Sequence, residues 1–132
     1  KIKMITGIGI DSVDQDRITR IYSKFGQKFQ DKILGPSEKE ELKTKSNNFQ
    51  RIRYLSNNFA GKEALSKALG TGFSEGVSLK EIEVLRDERG KPYIHLSGNT
   101  HAIAISLNLE KINLSITDTK NLSTAFVIGE SA

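Results

Sequence analysis

The chain has 132 residues, of which 36% are hydrophobic and 27% charged, with a net charge of +4 and a mean hydropathy of −0.40. That composition suits one modest globular core, and no apolar run approaches the roughly 18 to 20 residues of a membrane-spanning helix. Zero cysteines exclude a disulfide framework, a thiolate metal site and a cysteine nucleophile, while two histidines, His95 and His101, are too few for a histidine metal cluster.

Taken in order, Lys1-Ile2-Lys3-Met4 has no secretory character, so a cytoplasmic setting is expected, and Met4 could itself be a start. Met4 to Ile10 is a short β-branched apolar run, a buried strand that Asp11 ends. Its two glycines imply close approach of another backbone. From Asp14 a helical pattern carries Ile18, Ile21, Tyr22, Phe25 and Phe29 on one face and Arg17, Arg20, Lys24 and Lys28 on another. Gly35-Pro36 breaks it, and Ser37 with Glu40 reads as a capping box opening a short charged helix. A long helix is expected from about Phe49 to Leu69, with Ile52, Leu55, Phe59, Ala60, Ala64, Leu65 and Ala68 inward and Gly70 as its stop. Ile82 and Val84, then Tyr93, Ile94 and Leu96, alternate about Asp87-Glu88-Arg89-Gly90 as a hairpin. Asn99 could cap a helix carrying Ala102, Ile103 and Leu107, and strands follow at 112–116 and 125–128. With no repeat and no dividing linker, the expectation is a single α+β domain over 1–132, an antiparallel sheet packed against one long helix and shorter ones.

The charge is uneven. Between Arg17 and Arg53 there are ten basic and four acidic residues, a net of +6, leaving −2 elsewhere. Such a segment suits an acidic partner, whether nucleic acid, phosphate-rich ligand or acidic protein, or is an ordinary solvated surface. Without cysteine, the available chemistry is that of carboxylates, lysines and a hard metal ion. Mg²⁺ takes one or two carboxylates plus substrate phosphates, and Asp11 and Glu63 are candidates. Lys67 follows Glu63 by four residues, on the same helical face, where the two could equally form a surface ion pair.

Three blocks of sequence bear on that choice. Gly7-Ile8-Gly9-Ile10-Asp11-Ser12-Val13, followed by Arg17-Ile18, resembles the opening signature of holo-(acyl-carrier-protein) synthase, the small bacterial type of 4′-phosphopantetheinyl transferase. Phe59-Ala60-Gly61-Lys62-Glu63-Ala64-Leu65-Ser66-Lys67-Ala68-Leu69-Gly70-Thr71-Gly72 is similar to its second signature. Glu81-Ile82-Glu83-Val84 and Gly90-Lys91-Pro92 match its hairpin. The resemblance implies transfer of the phosphopantetheine arm of coenzyme A to a serine of apo acyl carrier protein, releasing adenosine 3′,5′-bisphosphate and activating the carrier for fatty acid biosynthesis. It implies Asp11 and Glu63 as Mg²⁺ ligands, Lys67 on the diphosphate, and a second phosphate role for Lys62. Gly70, Thr71 and Gly72 would approach coenzyme A closely, and Gly90, Lys91 and Pro92 would border its nucleotide. Arg17, Arg20, Lys24 and Lys28 would dock the acidic carrier. A homotrimer with sites at subunit interfaces is implied, with no membrane or nucleic acid partner.

Two positions depart from the family pattern. Asn58 stands where an arginine usually precedes Phe-Ala-x-Lys-Glu, so that cation is missing or supplied elsewhere. Asp118 stands where Ser-x-Ser is usually followed by histidine, and it either leans toward the metal or points out of the site. His95 and His101 are expected as structural or surface groups, and the general base stays open between a metal-bound water and Glu63 acting through water. The competing readings are a degenerate member that binds coenzyme A or carrier protein without turnover, and a basic nucleic-acid-binding module.

Overall fold

The computed structural model describes residues 2–132, so of the expected 1–132 unit Lys1 lies outside the described residues. Strand β1 covers Ile5–Asp14 and pairs antiparallel with β5, Leu122–Glu130, which pairs in turn with β4, Lys111–Thr119. The sheet order is β1-β5-β4, which leaves β1 and β4 as its edges. β1 is longer than its apolar run, because pairing continues to Asp14 opposite Leu122, so Asp11 sits inside the strand and not at its end.

Successive side chains of β1 alternate between faces. Gly7, Gly9, Asp11 and Val13 turn toward the long helix α4, Asn48–Leu69, and Ile8 and Ile10 turn to the other face. The glycines let two backbones touch. A Cβ on Gly9 would collide with the Ala64 carbonyl, and one on Gly7 with that of Ala68. α4 begins where the Asn47 side chain accepts from the Gln50 amide at 2.9 Å and stops at Gly70, left-handed at φ +81°, as a C-terminal glycine should. Leu55, Ala60, Ala64 and Leu65 of this helix pack with Ile18, Ile33, Ile82, Ala125 and Val127 in one core.

The first helical pattern is two helices. α1, Gln15–Phe25, and α2, Gln27–Ile33, meet at Gly26, whose φ of +51° turns the chain. Lys28 is therefore not in register with Arg17, Arg20 and Lys24. α3, Pro36–Lys43, is not capped by Ser37 and Glu40. Glu38 instead accepts from the Gly35 amide at 3.0 Å, and Glu83 accepts from the amides of Ser37 and Glu38 at 2.7 and 3.1 Å. Glu40 pairs with Lys43 on the surface.

A 3-10 turn at Leu79–Glu81 leads into the hairpin of β2, Ile82–Arg86, and β3, Pro92–Leu96, which forms a separate two-stranded sheet beside β4. α5, Gly98–Ser106, starts from Ser97 and not Asn99. Glu81 accepts from the Thr100 amide and hydroxyl there, and Asn99 reaches back to the Gly76 carbonyl at 3.1 Å. Because the β1–α4 crossing has no room for a methyl group, Gly9→Ala is expected to lower unfolding free energy by about 1–3 kcal/mol or more, read by urea denaturation.

Candidate active site

The crossing of β1 and α4 gathers Asp11, Glu63 and Lys67. Lys67 donates from Nζ to Asp11 Oδ1 at 2.8 Å and to the Ile10 carbonyl at 3.0 Å. The Asp11 side chain is only 15% exposed, whereas Lys67 is 53% exposed and free to redirect its charge. Glu63, one turn before Lys67, is half-buried. Burial pushes its carboxyl above the usual range, and the Asp11 charge adds to the rise against the pull of Lys67 and Arg17. Two carboxylates that repel each other across a partly desolvated gap could hold a cation between them. The Lys67 ammonium is correspondingly held above its ordinary value, chiefly by its bond to Asp11.

Lys62 does not belong to this site. It is fully buried and paired with the equally buried Glu38 at 2.6 Å. Its other protons go to the Leu79 carbonyl at 2.9 Å and to the Ile82 carbonyl. No donor is left for a phosphate, so the expected cofactor role of Lys62 is corrected to a core ion pair. Helical spacing could not reveal this, because the partner lies 24 residues away. The Glu38 carboxylate also accepts from Asn58 Nδ2 at 2.8 Å and the Val84 amide at 3.1 Å.

The loop after α4 is close to Lys67, but the Gly70 and Gly72 amides already donate to the Lys67 and Ser66 carbonyls. Gly70-Thr71-Gly72 can therefore offer a ligand close approach, not those two donors. Gly90-Lys91-Pro92 forms the hairpin tip and the start of β3, where Asp87 accepts from the Arg89 and Lys91 amides at 2.9 Å. The hairpin packs by β4, the sheet edge opposite Asp11, so within one chain the structure does not bring these residues to the β1–α4 crossing.

Beside Arg17 lies an apolar groove of about 350 Å³ with Ile21, Phe25, Phe29 and Phe59 in its walls and Arg17, Lys28 and Lys32 among its lining. Arg20 and Lys24 are not among its lining residues, and Lys24 instead lies over the Phe25 ring at 5.3 Å. His95 and His101 are exposed. Asp118 is held at the β4 edge by Arg53 at 3.0 Å and Asn57 at 2.9 Å, pointing away from the Asp11 side of its own chain. Burial works to raise its carboxyl, but the Asn57 and Arg53 bonds outweigh that and leave it below the ordinary range.

The chain belongs to the 4′-phosphopantetheinyl transferase superfamily, whose family model matches residues 7–127. Within that class it is 42% identical over 127 residues to the holo-(acyl-carrier-protein) synthase of Halothermothrix orenii, covering 96% of this chain and 98% of the relative. The crystal structure of the Neisseria meningitidis holo-(acyl-carrier-protein) synthase superposes with a TM-score of 0.87 at 36% identity, covering 96% of this chain and 98% of that one. The Bacillus anthracis synthase, solved in complex with CoA (3′,5′-ADP), gives a TM-score of 0.81 at 35% identity, covering 98% and 99%.

Two outcomes follow. Lys62→Met leaves Glu38 buried and uncompensated, and should cost about 3–5 kcal/mol of stability in urea unfolding. Asp118, lowered in the folded state, should titrate below the ordinary aspartate range by carboxyl NMR and move back up in Arg53→Met. Its contribution to stability is complete above the unfolded value and disappears as pH falls through the lower folded one.

Proposed function

We propose that this chain is a holo-(acyl-carrier-protein) synthase, moving the 4′-phosphopantetheine group of coenzyme A to a serine of apo acyl carrier protein and so activating the carrier for fatty acid biosynthesis. The observation that carries this reading is the Asp11–Glu63–Lys67 constellation at the β1–α4 crossing, in a chain whose near full-length relatives bear that name.

In the reaction, the serine oxygen bonds to the phosphorus that bears the pantetheine arm. The bond from that phosphorus to the bridging diphosphate oxygen breaks, adenosine 3′,5′-bisphosphate leaves with the electron pair, and the hydroxyl proton is released. Asp11 and Glu63 are hard oxygen donors whose mutual repulsion a divalent cation would relieve, and two carboxylates with water and phosphate oxygens are a donor set that Mg²⁺ accepts. They would hold that ion, which when bound draws charge off the diphosphate leaving group. Lys67, exposed and hydrogen-bonded only through its tip, would exchange Asp11 for a diphosphate oxygen as a mobile point charge. The remaining acceleration is positioning, which the rigid strand–helix contact favours.

The groove beside Arg17 suits an acidic carrier, with Arg17, Lys28 and Lys32 meeting its charge and the phenylalanines its apolar contacts. Arg20 and Lys24 on α1 would act more remotely, through encounter rate. Coenzyme A would run from the metal carboxylates past Gly70-Thr71-Gly72 toward a hairpin tip, Gly90-Lys91-Pro92. Because those two groups lie at opposite sheet edges of one chain, the site would be completed between copies. The outer sheet face, where Ile8, Ile10, Leu122 and Phe126 are exposed, is the apolar surface for such a homotrimer. No described helix is long and apolar enough to cross a membrane, and a cytoplasmic place of work fits the cysteine-free composition.

The test is a mass-spectrometric transfer assay with purified protein, coenzyme A, Mg²⁺ and apo acyl carrier protein. One phosphopantetheine per carrier is expected, abolished by chelation and lowered at least about 100-fold in Glu63→Ala. In the same assay Arg17→Glu with Lys28→Glu should lower kcat/KM for the carrier about tenfold and flatten its salt dependence. Absence of transfer with both substrates still bound would identify the degenerate member instead.

A further inference from the structure

Lys62 and Glu63 are neighbours on α4 that face different ways. Glu63 looks toward β1 and Asp11, while Lys62, about 100° round the helix, points into the core with no solvent exposure. An ammonium has three N–H donors, and the fold engages all three. They reach Glu38 Oε1 at 2.6 Å, the Leu79 carbonyl at 2.9 Å and the Ile82 carbonyl, and so touch α3, the 3-10 turn and the start of β2. One turn earlier, Asn58 Nδ2 donates to Glu38 Oε2 at 2.8 Å and to the Val84 carbonyl at 2.9 Å. The Gly35 and Val84 amides hold the same carboxylate at 3.0 and 3.1 Å. Five directional bonds therefore run from one face of α4 to the elements behind it.

The contact on the β1 side of α4 is of another kind. Gly7 and Gly9 meet the Ala68 and Ala64 carbonyls backbone to backbone, and among the described residues no backbone hydrogen bond joins β1 to α4. Such a crossing sets how close strand and helix come, but a smooth backbone surface does little to fix the rotation of α4. Rotation matters because Asp11 and Glu63 are carried by different elements. Their charges oppose one another, so the unliganded pair pushes strand and helix apart. A metal constellation has to be held within about 0.5 Å of its working geometry. Lys67 cannot supply that restraint, since its long side chain is largely exposed. The rotational lock has to come from the Glu38 side.

We infer that Lys62 is a positioning residue for the metal carboxylate: anchored on Glu38, with Asn58 beside it, it fixes the rotation of α4 that sets Glu63 opposite Asp11. The inference rests on the metal role proposed above for Asp11 and Glu63. It gives the buried pair a task that stability alone does not require, because an apolar pair of similar volume can be as stable. Apolar burial has no preferred direction, so such a pair would keep the fold and lose the alignment.

The test is binding of Mn²⁺ alone to the full chain, followed by the electron paramagnetic resonance of the free ion. Glu38→Gln with Lys62→Met removes the charge pair but keeps an acceptor for Asn58 and the Val84 amide. This double variant should stay folded, bind Mn²⁺ at least about tenfold more weakly, and need correspondingly more Mg²⁺ for transfer. Leu42→Ala opens a cavity under the buried face of α3 without cutting the tie. It should lower stability while leaving Mn²⁺ affinity within about twofold. Glu38→Asp keeps the charge pair but withdraws the carboxylate by one methylene; it should weaken Mn²⁺ severalfold and serves if the double variant unfolds. Unchanged Mn²⁺ affinity in the folded Glu38 variants, equal weakening in Leu42→Ala, or no saturable Mn²⁺ binding in the wild type overturns the inference. Weakened Mn²⁺ binding in a chain whose wild type transfers nothing would sustain the Lys62 role and refute the synthase reading. Transfer with Mn²⁺ affinity untouched by the variants would do the reverse.

Discussion

Glu38 has no solvent contact, and one carboxylate there ties three elements together. It caps the start of α3, takes the Val84 amide of β2, and accepts from Asn58 and Lys62 on the same face of α4. Burial drives the Glu38 carboxyl up and the Lys62 ammonium down, and each charge opposes the shift of the other. An apolar pair of similar volume could be as stable. What the ion pair adds is direction, since an interior methyl would not resist rotation of α4 about its own axis. With Asn58 and Lys62 fixed against β2, the next residue, Glu63, is carried round by about 100° toward β1 and Asp11. The glycines of β1 secure the same arrangement from the opposite side, by allowing strand and helix backbones to touch.

This division explains which features the sequence disclosed. Strand β1, helix α4, its Gly70 stop and the β2–β3 hairpin depend on local periodicity or turn chemistry, and each is present. Asp11, Glu63 and Lys67 were legible as a trio because the motif placed them, and the fold does converge them. The failures share another cause. Lys62 reads as a phosphate ligand because nothing within a helical turn signals Glu38, and Glu38 itself reads only as part of a short charged helix. The Ser37–Glu40 box lost to Glu83, a residue 46 positions downstream of Ser37. Gly26 gives no local sign of a break because the apolar spacing runs on through it, yet its positive φ divides the helix.

Asn58 and Asp118, the two departures from the family pattern, belong to one neighbourhood at the N-terminal half of α4. Asn58 gives up charge but gains a full set of bonds in the core, and Arg86 stands over it from the neighbouring strand. Both oxygens of Asp118 are engaged, one by Arg53 and one by Asn57, so its charge is offset within the chain. Substituting one member of such a cluster therefore redistributes cation and anion among Arg53, Arg86 and Asp118 without emptying the site of positive charge. Residue type at a single motif position is a poor guide to the charge of a cavity of about 290 Å³ that α4, β2 and the loop at Lys45 share.

The geometry of the sheet then connects chemistry to assembly. α4 presents Glu63 and Lys67 to the β1 edge and Arg53 and Asn57 to the β4 edge. Each edge is unpaired within the chain, and the face behind the sheet is apolar along β1 and β5. A heterologous contact between copies, in which the β1 side of one meets the β4 side of the next, would cover that face. It would also set the carboxylate half of one site beside the cationic half of another. Rotation that closes after a few copies leaves no free edge and no unmatched half-site, whereas an open chain would leave both. On this argument a closed ring would suit the bipolar layout of α4, with the Asp11–Glu63–Lys67 group toward one end of the helix and Arg53 toward the other.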